Sequence, residues 1–122
     1  MRSDPTLKKH YNFINKKFFL NELPRNVCVR WSNEEDDEGG FEDKYFGIAE
    51  YAKDGYHKYE IVMSRKMNLP ASSRMLTLVH EMIHIATALK DNHGPVFEAW
   101  WGVLYDRGIL KKGAIRKGIT IT

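Results

Sequence analysis

Cysteine and long apolar runs are both scarce in this sequence of 122 residues. The single cysteine, Cys28, excludes an intramolecular disulfide and any zinc site built from several thiolates. Apolar runs are only a few residues long, so no segment is predicted to span a membrane. No apolar stretch follows the first residues, so no signal peptide is predicted. Together these absences predict a protein of the cytoplasm.

Apolar side chains are nevertheless plentiful, because 43% of the residues are hydrophobic and 12% are aromatic. That content is enough for one hydrophobic core without covalent staples, and the length predicts a single domain over residues 1–122. The formal net charge of +3 is unevenly spread, with an acidic block at 34–38 and a basic tail. Both segments are interpreted as solvated. The alternative for the tail is weak contact with DNA phosphates through Lys111, Lys112, Arg116 and Lys117.

Apolar spacing predicts three helices and three strands. The expected elements, in chain order, are a helix over 7–20, strands near 27–31, 45–51 and 59–63, a helix over 70–90 and a helix over 95–108. Asp4 and Pro5 are typical of a helix start, and Asp54 with Gly55 predicts a turn between the last two strands. A helix, a small and mainly antiparallel three-stranded sheet and two further helices indicate the α+β class.

The second predicted helix contains the pattern H-E-x-x-H over residues 80–84. Residues four apart project from the same side of a helix, so His80 and His84 can bind one cation. Glu81 lies beside them, close enough to hold a reacting water. The rest of this helix is apolar nearly all round, which predicts burial. A shared zinc ion would give the buried polar side chains a common partner.

Catalytic zinc usually has three protein ligands, which leaves one position for water. We predict His93 as the third ligand, because it lies in a short loop where the chain must reverse. Asp91 falls on the same helical stripe but about 10 Å beyond His84 along the helix axis, too far for a short side chain. Glu98 in the last helix is the remaining alternative, although its first-turn position also suits the helix dipole.

The other aromatic and histidine candidates are interpreted as structural. Phe97, Trp100 and Trp101 have helical spacing, which favours a place in the core over a substrate pocket. His10 in the first helix is interpreted as a surface or packing residue. His57 near the turn is interpreted as solvated, and it stays open, with several tyrosines, as a group that stabilises the oxyanion.

The sequence resembles the SprT-like (Spartan-type) zinc metallopeptidases. The resemblance rests on H-E-x-x-H at 80–84 followed by H-G-x-x-F at 93–97, with weaker similarity at 18–24 and 27–32. It covers about 7–107 and leaves 108–122 as the basic tail. It implies a minimal zincin fold, histidine ligands for zinc, a glutamate base and proteolysis, and in the best-known members the substrates are proteins crosslinked to DNA. By the same resemblance, the strand near 59–63 is the candidate edge for extended substrate.

The expected reaction is zinc-assisted peptide hydrolysis, with His80, His84 and His93 as ligands and Glu81 as the general base. Two alternatives stay open. One is a non-catalytic module, stabilised by zinc, that binds nucleic acid or protein; the other is a metallohydrolase that cleaves a non-peptide bond. Glu81 favours the hydrolases, because a structural zinc site needs no carboxylate there and closes its fourth position.

Overall fold

The computed structural model of the chain describes residues 2–33, 46–65, 71–90 and 93–110. These residues form three helices and three strands in the predicted order. The elements are α1 (Pro5–Phe18), β1 (Val27–Trp31), β2 (Gly47–Tyr51), β3 (Tyr59–Met63), α2 (Ala71–Ala86) and α3 (Pro95–Asp106). The α+β class is therefore confirmed. The acidic block and the basic tail at 111–117 lie outside the described residues.

Helix α1 begins where the sequence predicts. The Asp4 carboxylate accepts a hydrogen bond from the Leu7 backbone N–H at 3.0 Å, and Pro5 takes the first helical position. The helix ends at Phe18, two residues earlier than expected, because Leu20 and Asn21 have φ angles of 53° and 62°. Left-handed residues cannot continue a right-handed helix.

Asn15 holds the segment that follows α1. Its side chain is 3% exposed; its Nδ2 donates to the Leu23 carbonyl, and its Oδ1 accepts from the Leu23 N–H, both at 3.1 Å. Nearby, the Tyr11 hydroxyl donates to the Pro24 carbonyl at 2.6 Å. These bonds satisfy buried polar groups of the loop that connects α1 to β1. These hydrogen bonds therefore hold the loop that leads into β1.

The sheet has the strand order β1-β3-β2, with β1 parallel and β2 antiparallel to β3. The sheet is thus mixed, and of its two strand pairs only β2–β3 is antiparallel. The Asp54–Gly55 turn between these strands is confirmed: Asp54 Oδ1 accepts from the N–H groups of Tyr56 and His57, and Gly55 has φ 78°. The expectation that the strand near 59–63 forms the sheet edge is wrong, because β3 lies between the other two strands.

Two helices share one face of the sheet. Helix α1 packs on β1, helix α2 packs on β2 and β3, and the two helices contact each other. Tyr59, Ile61 and Met63 of β3 join the core on this face. Helix α3 packs against α2, and its end is tied to α1, because Arg107 donates to the Phe18 carbonyl at 2.5 Å. No helix among the described residues is long and apolar enough to cross a membrane.

We predict that Asn15→Ala lowers the free energy of unfolding by about 2–4 kcal/mol, because it leaves two buried backbone groups of Leu23 without partners. Urea denaturation measures the change. Asn12→Ala is the matched control: Asn12 is exposed on the same helix, so its loss should change stability by less than about 0.5 kcal/mol. Equal effects of the two substitutions would show that the Asn15 bonds contribute nothing.

Candidate metal centre

Helix α2 is the scaffold of the candidate site, and its predicted burial is confirmed. Its fully or nearly buried apolar residues are Met75, Leu78, Val79, Met82, Ile83 and Ile85. Against this background His80 and His84 stay only half-buried, and their ring centroids lie 5.0 Å apart. The spacing of four residues therefore puts both rings side by side on one strip of the helix.

A tight turn ends α2 two residues after His84. The helix was expected to reach residue 90, but it ends at Ala86 because Ala88 and Leu89 adopt φ angles of 52° and 60°. The Leu89 N–H donates to the His84 carbonyl at 2.8 Å, and the Ala88 N–H donates to the Ile85 carbonyl at 2.9 Å. This pair of bonds is a Schellman motif, formed here without glycine. It reverses the chain at once.

The reversal returns His93 to the two helix histidines. His93 has φ 63° and is exposed, while Gly94 caps α3 and Pro95 takes its first position. The Nε2 atoms of His80 and His93 are 3.1 Å apart. One ring nitrogen from each of the three histidines lies within 4.8 Å of the other two. The predicted ligands are therefore close enough together to hold one metal ion.

Neither alternative third ligand joins this cluster in the described part of the chain. Glu98 is exposed on α3 and is not among the residues grouped with the histidines. Asp91 lies outside the described residues.

Phe97 packs against all three histidine rings. It is 2% exposed, and its ring centroid lies 5.0, 4.8 and 4.9 Å from those of His80, His84 and His93. The centroids of the three histidines are themselves 4.8 to 5.0 Å apart. The phenyl ring thus fills the inner side of the cluster, and the solvent side is at His93. Its predicted role as a core residue is confirmed.

The protonation state of His80 suits a metal ligand. Burial and the neighbouring His84 and His93 lower the pKa of His80 to about 4, so its ring is neutral at pH 7. Only the neutral imidazole has a lone pair to give to a metal. Three converging imidazoles, with one neutral by its surroundings, fit a divalent transition metal and offer little to a hard cation that prefers oxygen.

Glu81 lies on the sheet side of the same helix. It is 5% exposed, and burial raises the pKa of Glu81 to about 7. Its carboxyl group reaches β2 at Gly47: a Cβ atom on Gly47 would come within 3.1 Å of Glu81 Cγ and Oε2 and 3.2 Å of Thr77 Cγ2. These contacts are tighter than ordinary van der Waals distances, so a side chain at position 47 would have to displace the carboxyl group by a few tenths of an ångström.

Gly47 and Phe97 are the two site residues whose place the sequence did not reveal. Gly47 is 34 positions from Glu81, and a glycine at the start of a strand has many explanations. Phe97 had helical spacing, which predicts burial but does not say what the ring covers. The H-G-x-x-F pattern was the available signal, since it fixes this ring four residues after His93.

A comparison with protein-family models matches residues 7–106 to the SprT-like family. Neither a search of curated proteins nor a search of solved structures returned a match. The family match spans most of the chain and includes both histidine segments of the cluster. It agrees with the resemblance seen in the sequence, so the chain belongs to the SprT-like family.

Proposed function

We propose that the chain is a zinc-dependent metallopeptidase that hydrolyses peptide bonds of protein substrates. In this proposal His80, His84 and His93 bind the metal, and Glu81 is the general base. The observation that carries it is the cluster of three imidazoles beside a buried carboxyl group, in a chain of the SprT-like family. The imidazoles would hold the metal, and the carboxyl group would act as the base in metal-assisted hydrolysis.

The donor set supports zinc as the metal. Imidazole nitrogen is a common zinc ligand, and the described part of the chain groups three histidines with no fourth donor, which is typical of catalytic zinc sites. Bound at these histidines, zinc supplies Lewis-acid chemistry, because it makes water acidic and polarises a carbonyl. The exposure of His93 leaves the cluster open to water and substrate on that side.

Glu81 moves the proton in the proposed reaction. As a carboxylate it accepts the proton of the attacking water and then gives it to the nitrogen of the leaving amine. Burial favours the neutral form of Glu81. The positive charge of a metal ion at the histidines would favour the ionised form that a base requires. The carboxyl group packs closely against Gly47, so its movement toward β2 is limited. This restriction supports a positioned base and reduces the freedom that the side chain must lose in the reaction.

Among the described strands β2 lies at the edge of the sheet, and this edge is the proposed docking site for an extended substrate. The Ser64 N–H donates to the Phe46 carbonyl at 2.9 Å, and the Ala52 N–H donates to the Lys58 carbonyl at 3.2 Å. Antiparallel pairing alternates, so the intervening residues Gly47, Ala49 and Tyr51 turn their backbone groups away from β3. A substrate strand paired there would pass Gly47, directly beside Glu81. Edge pairing suits an unfolded or extended protein segment.

The rival proposal of a non-catalytic binding module is less well supported. A structural zinc site has no use for a buried carboxyl group one residue from a ligand, and it closes its fourth position with protein. The DNA contact expected of the basic tail concerns residues outside the described part of the chain. That contact and the cytoplasmic location stay predictions.

We predict that the full chain binds one zinc ion and that His80→Ala, His84→Ala or His93→Ala abolishes stoichiometric binding. Each loses one of three ligands, so affinity should fall by more than the roughly 10–100-fold that an outer-shell loss costs. Metal analysis after dialysis measures the content. The controls are His57→Ala, which removes a histidine paired with Asp54, and Glu98→Ala. If His93→Ala keeps its full zinc content and Glu98→Ala does not, the third ligand is Glu98 and the prediction is wrong.

We predict that Glu81→Gln retains zinc and fold but loses peptidase activity. Glutamine has nearly the same shape and cannot take the proton, so the cleavage rate of casein should fall by about 10²–10⁴-fold. Zinc content and melting temperature, measured on the same sample, separate this effect from loss of metal or fold. A variant that cleaves at the original rate would place the base elsewhere.

We predict that Gly47→Ala slows cleavage by about tenfold while zinc binding is unchanged. The added methyl group must push the Glu81 carboxyl group by a few tenths of an ångström, and a displacement of 1 Å costs about 10²-fold. Gly102→Ala is the matched control, because a Cβ there meets nothing within 4 Å. Similar rates for both variants would mean that Gly47 does not position the base.

A further inference from the structure

Tyr51 is the last residue of β2, and its side chain is 57% exposed. The alternation of the strand places it on the same face as Gly47 and Ala49, toward α2. Its hydroxyl group donates to the Ala88 carbonyl oxygen at 3.4 Å, in the turn that follows α2. An exposed aromatic ring thus lies on the face of β2 that Glu81 approaches, at the opposite end of the strand.

The ring of Tyr51 is covered on one side only. Tyr51 is paired with Tyr59 of β3, and the two ring centroids are 5.4 Å apart with an interplanar angle of 30°. This separation is close to the spacing of neighbouring strands, about 4.8 Å, so the two rings follow one another across the sheet. Tyr59 is 4% exposed and covers the inner side of the Tyr51 ring. The other side of that ring is turned away from β3, toward the edge of the sheet.

The backbone of β2 determines which substrate side chain would meet this ring. An antiparallel substrate strand at the edge would pair with Gly47, Ala49 and Tyr51, whose backbone groups face away from β3. Residues directly opposite each other in such a pair have their side chains on the same face. One substrate side chain would therefore lie against the open side of the Tyr51 ring, while the residue opposite Gly47 would lie beside Glu81.

The chemistry of the ring favours an aromatic neighbour. Aromatic pairs with centroids about 4.5–7 Å apart strengthen binding by about twofold to tenfold, in addition to the apolar area that they bury. A lysine or arginine over an exposed ring gains about twofold to fivefold and must keep its charged group hydrated. A small side chain would leave the ring open to water. A further aromatic side chain also continues the row that Tyr59 and Tyr51 begin.

We propose that Tyr51 is a specificity-determining residue that selects substrate segments with an aromatic side chain opposite it. The inference rests on the proposed peptidase activity and on docking along β2. In the antiparallel orientation the aromatic residue precedes the residue opposite Gly47 by four positions. Cleavage on either side of that residue makes the aromatic residue the fourth or fifth before the cleaved bond. The two substrate positions are about 13 Å apart, so Tyr51 acts on binding and not on the reacting atoms.

Cleavage of designed peptides by the full, zinc-loaded chain tests the register. Two acetylated peptides of about thirteen residues, made of threonine and serine, carry one phenylalanine each, at the third or at the fifth position. Mass spectrometry of the products should show that the cut moves by two residues with the phenylalanine. A third peptide, with alanine in place of phenylalanine, should have a KM about threefold to tenfold higher and a similar kcat, because only binding has changed.

Three variants identify the residue responsible. Tyr51→Thr keeps a strand-forming residue without the ring, so KM should become equal for the phenylalanine and alanine peptides. Tyr51→Phe should retain the preference, because it keeps the ring and loses only the hydroxyl group. Ile48→Thr is the matched control: Ile48 is 40% exposed on the other face of β2, so its loss should leave the preference as in the unaltered chain. Melting temperatures of all three show whether the fold is kept.

Backbone NMR of the zinc-loaded Glu81→Gln variant measures binding without cleavage. The phenylalanine peptide should bind about threefold to tenfold more tightly than the alanine peptide. It should shift the amide signals of Gly47, Ala49 and Tyr51 more than those of Ile48 and Glu50, because the latter two face β3.

The inference and the proposed function fail in different ways. If casein and the peptides are cleaved at sites that do not follow the phenylalanine, the role of Tyr51 is wrong and the peptidase activity stands. If the unaltered chain cleaves neither casein nor any peptide, the peptidase proposal is wrong. The NMR titration then decides the role of Tyr51 alone, since equal affinities for the two peptides would overturn it.

Discussion

The structure depends on the burial of a helix that is apolar on nearly every side. Helix α2 contacts α1, α3 and two strands, so little of its surface is available to polar side chains. His80 and His84 share the half-buried strip that leads to solvent, and Glu81 faces the sheet. Burial of the scaffold is thus what holds the three polar groups in place, since their neighbours on all other sides are close-packed apolar residues.

The elements of this fold could be predicted from the sequence, but their arrangement in the sheet could not. Helix spacing, strand alternation, the Asp4 cap and the Asp54–Gly55 turn depend on residues close in the chain. Which strand lies in the middle depends on hydrogen bonds between residues far apart. β3 is central because β1 pairs with it in parallel, across a connection that includes residues outside the described part. Nothing in the five residues of β3 distinguishes this place from an edge.

The candidate site divides in the same way. His80 and His84 could be predicted because a spacing of four has one geometric meaning on a helix. The prediction of His93 followed from the need for a reversing loop, and the structure brings its ring to the other two. The early end of α2 could not be predicted. Ala88 adopts a left-handed conformation there, which is usual only for glycine or asparagine. The approach of Glu81 to Gly47 was equally hidden, since it joins two elements with no shared pattern.

The first residues of the chain form hydrogen bonds with the outer edge of β1. The Asp4 N–H donates to the Val29 carbonyl at 2.7 Å, and the Val29 N–H donates to the Ser3 hydroxyl at 3.0 Å, so part of the outer side of β1 is already paired. Unpaired strands are templates for self-association. A version that begins at α1 would therefore leave the backbone groups of Val29 without these partners and open to pairing with another chain. Fusion partners attached to the amino terminus need a spacer that leaves these bonds intact.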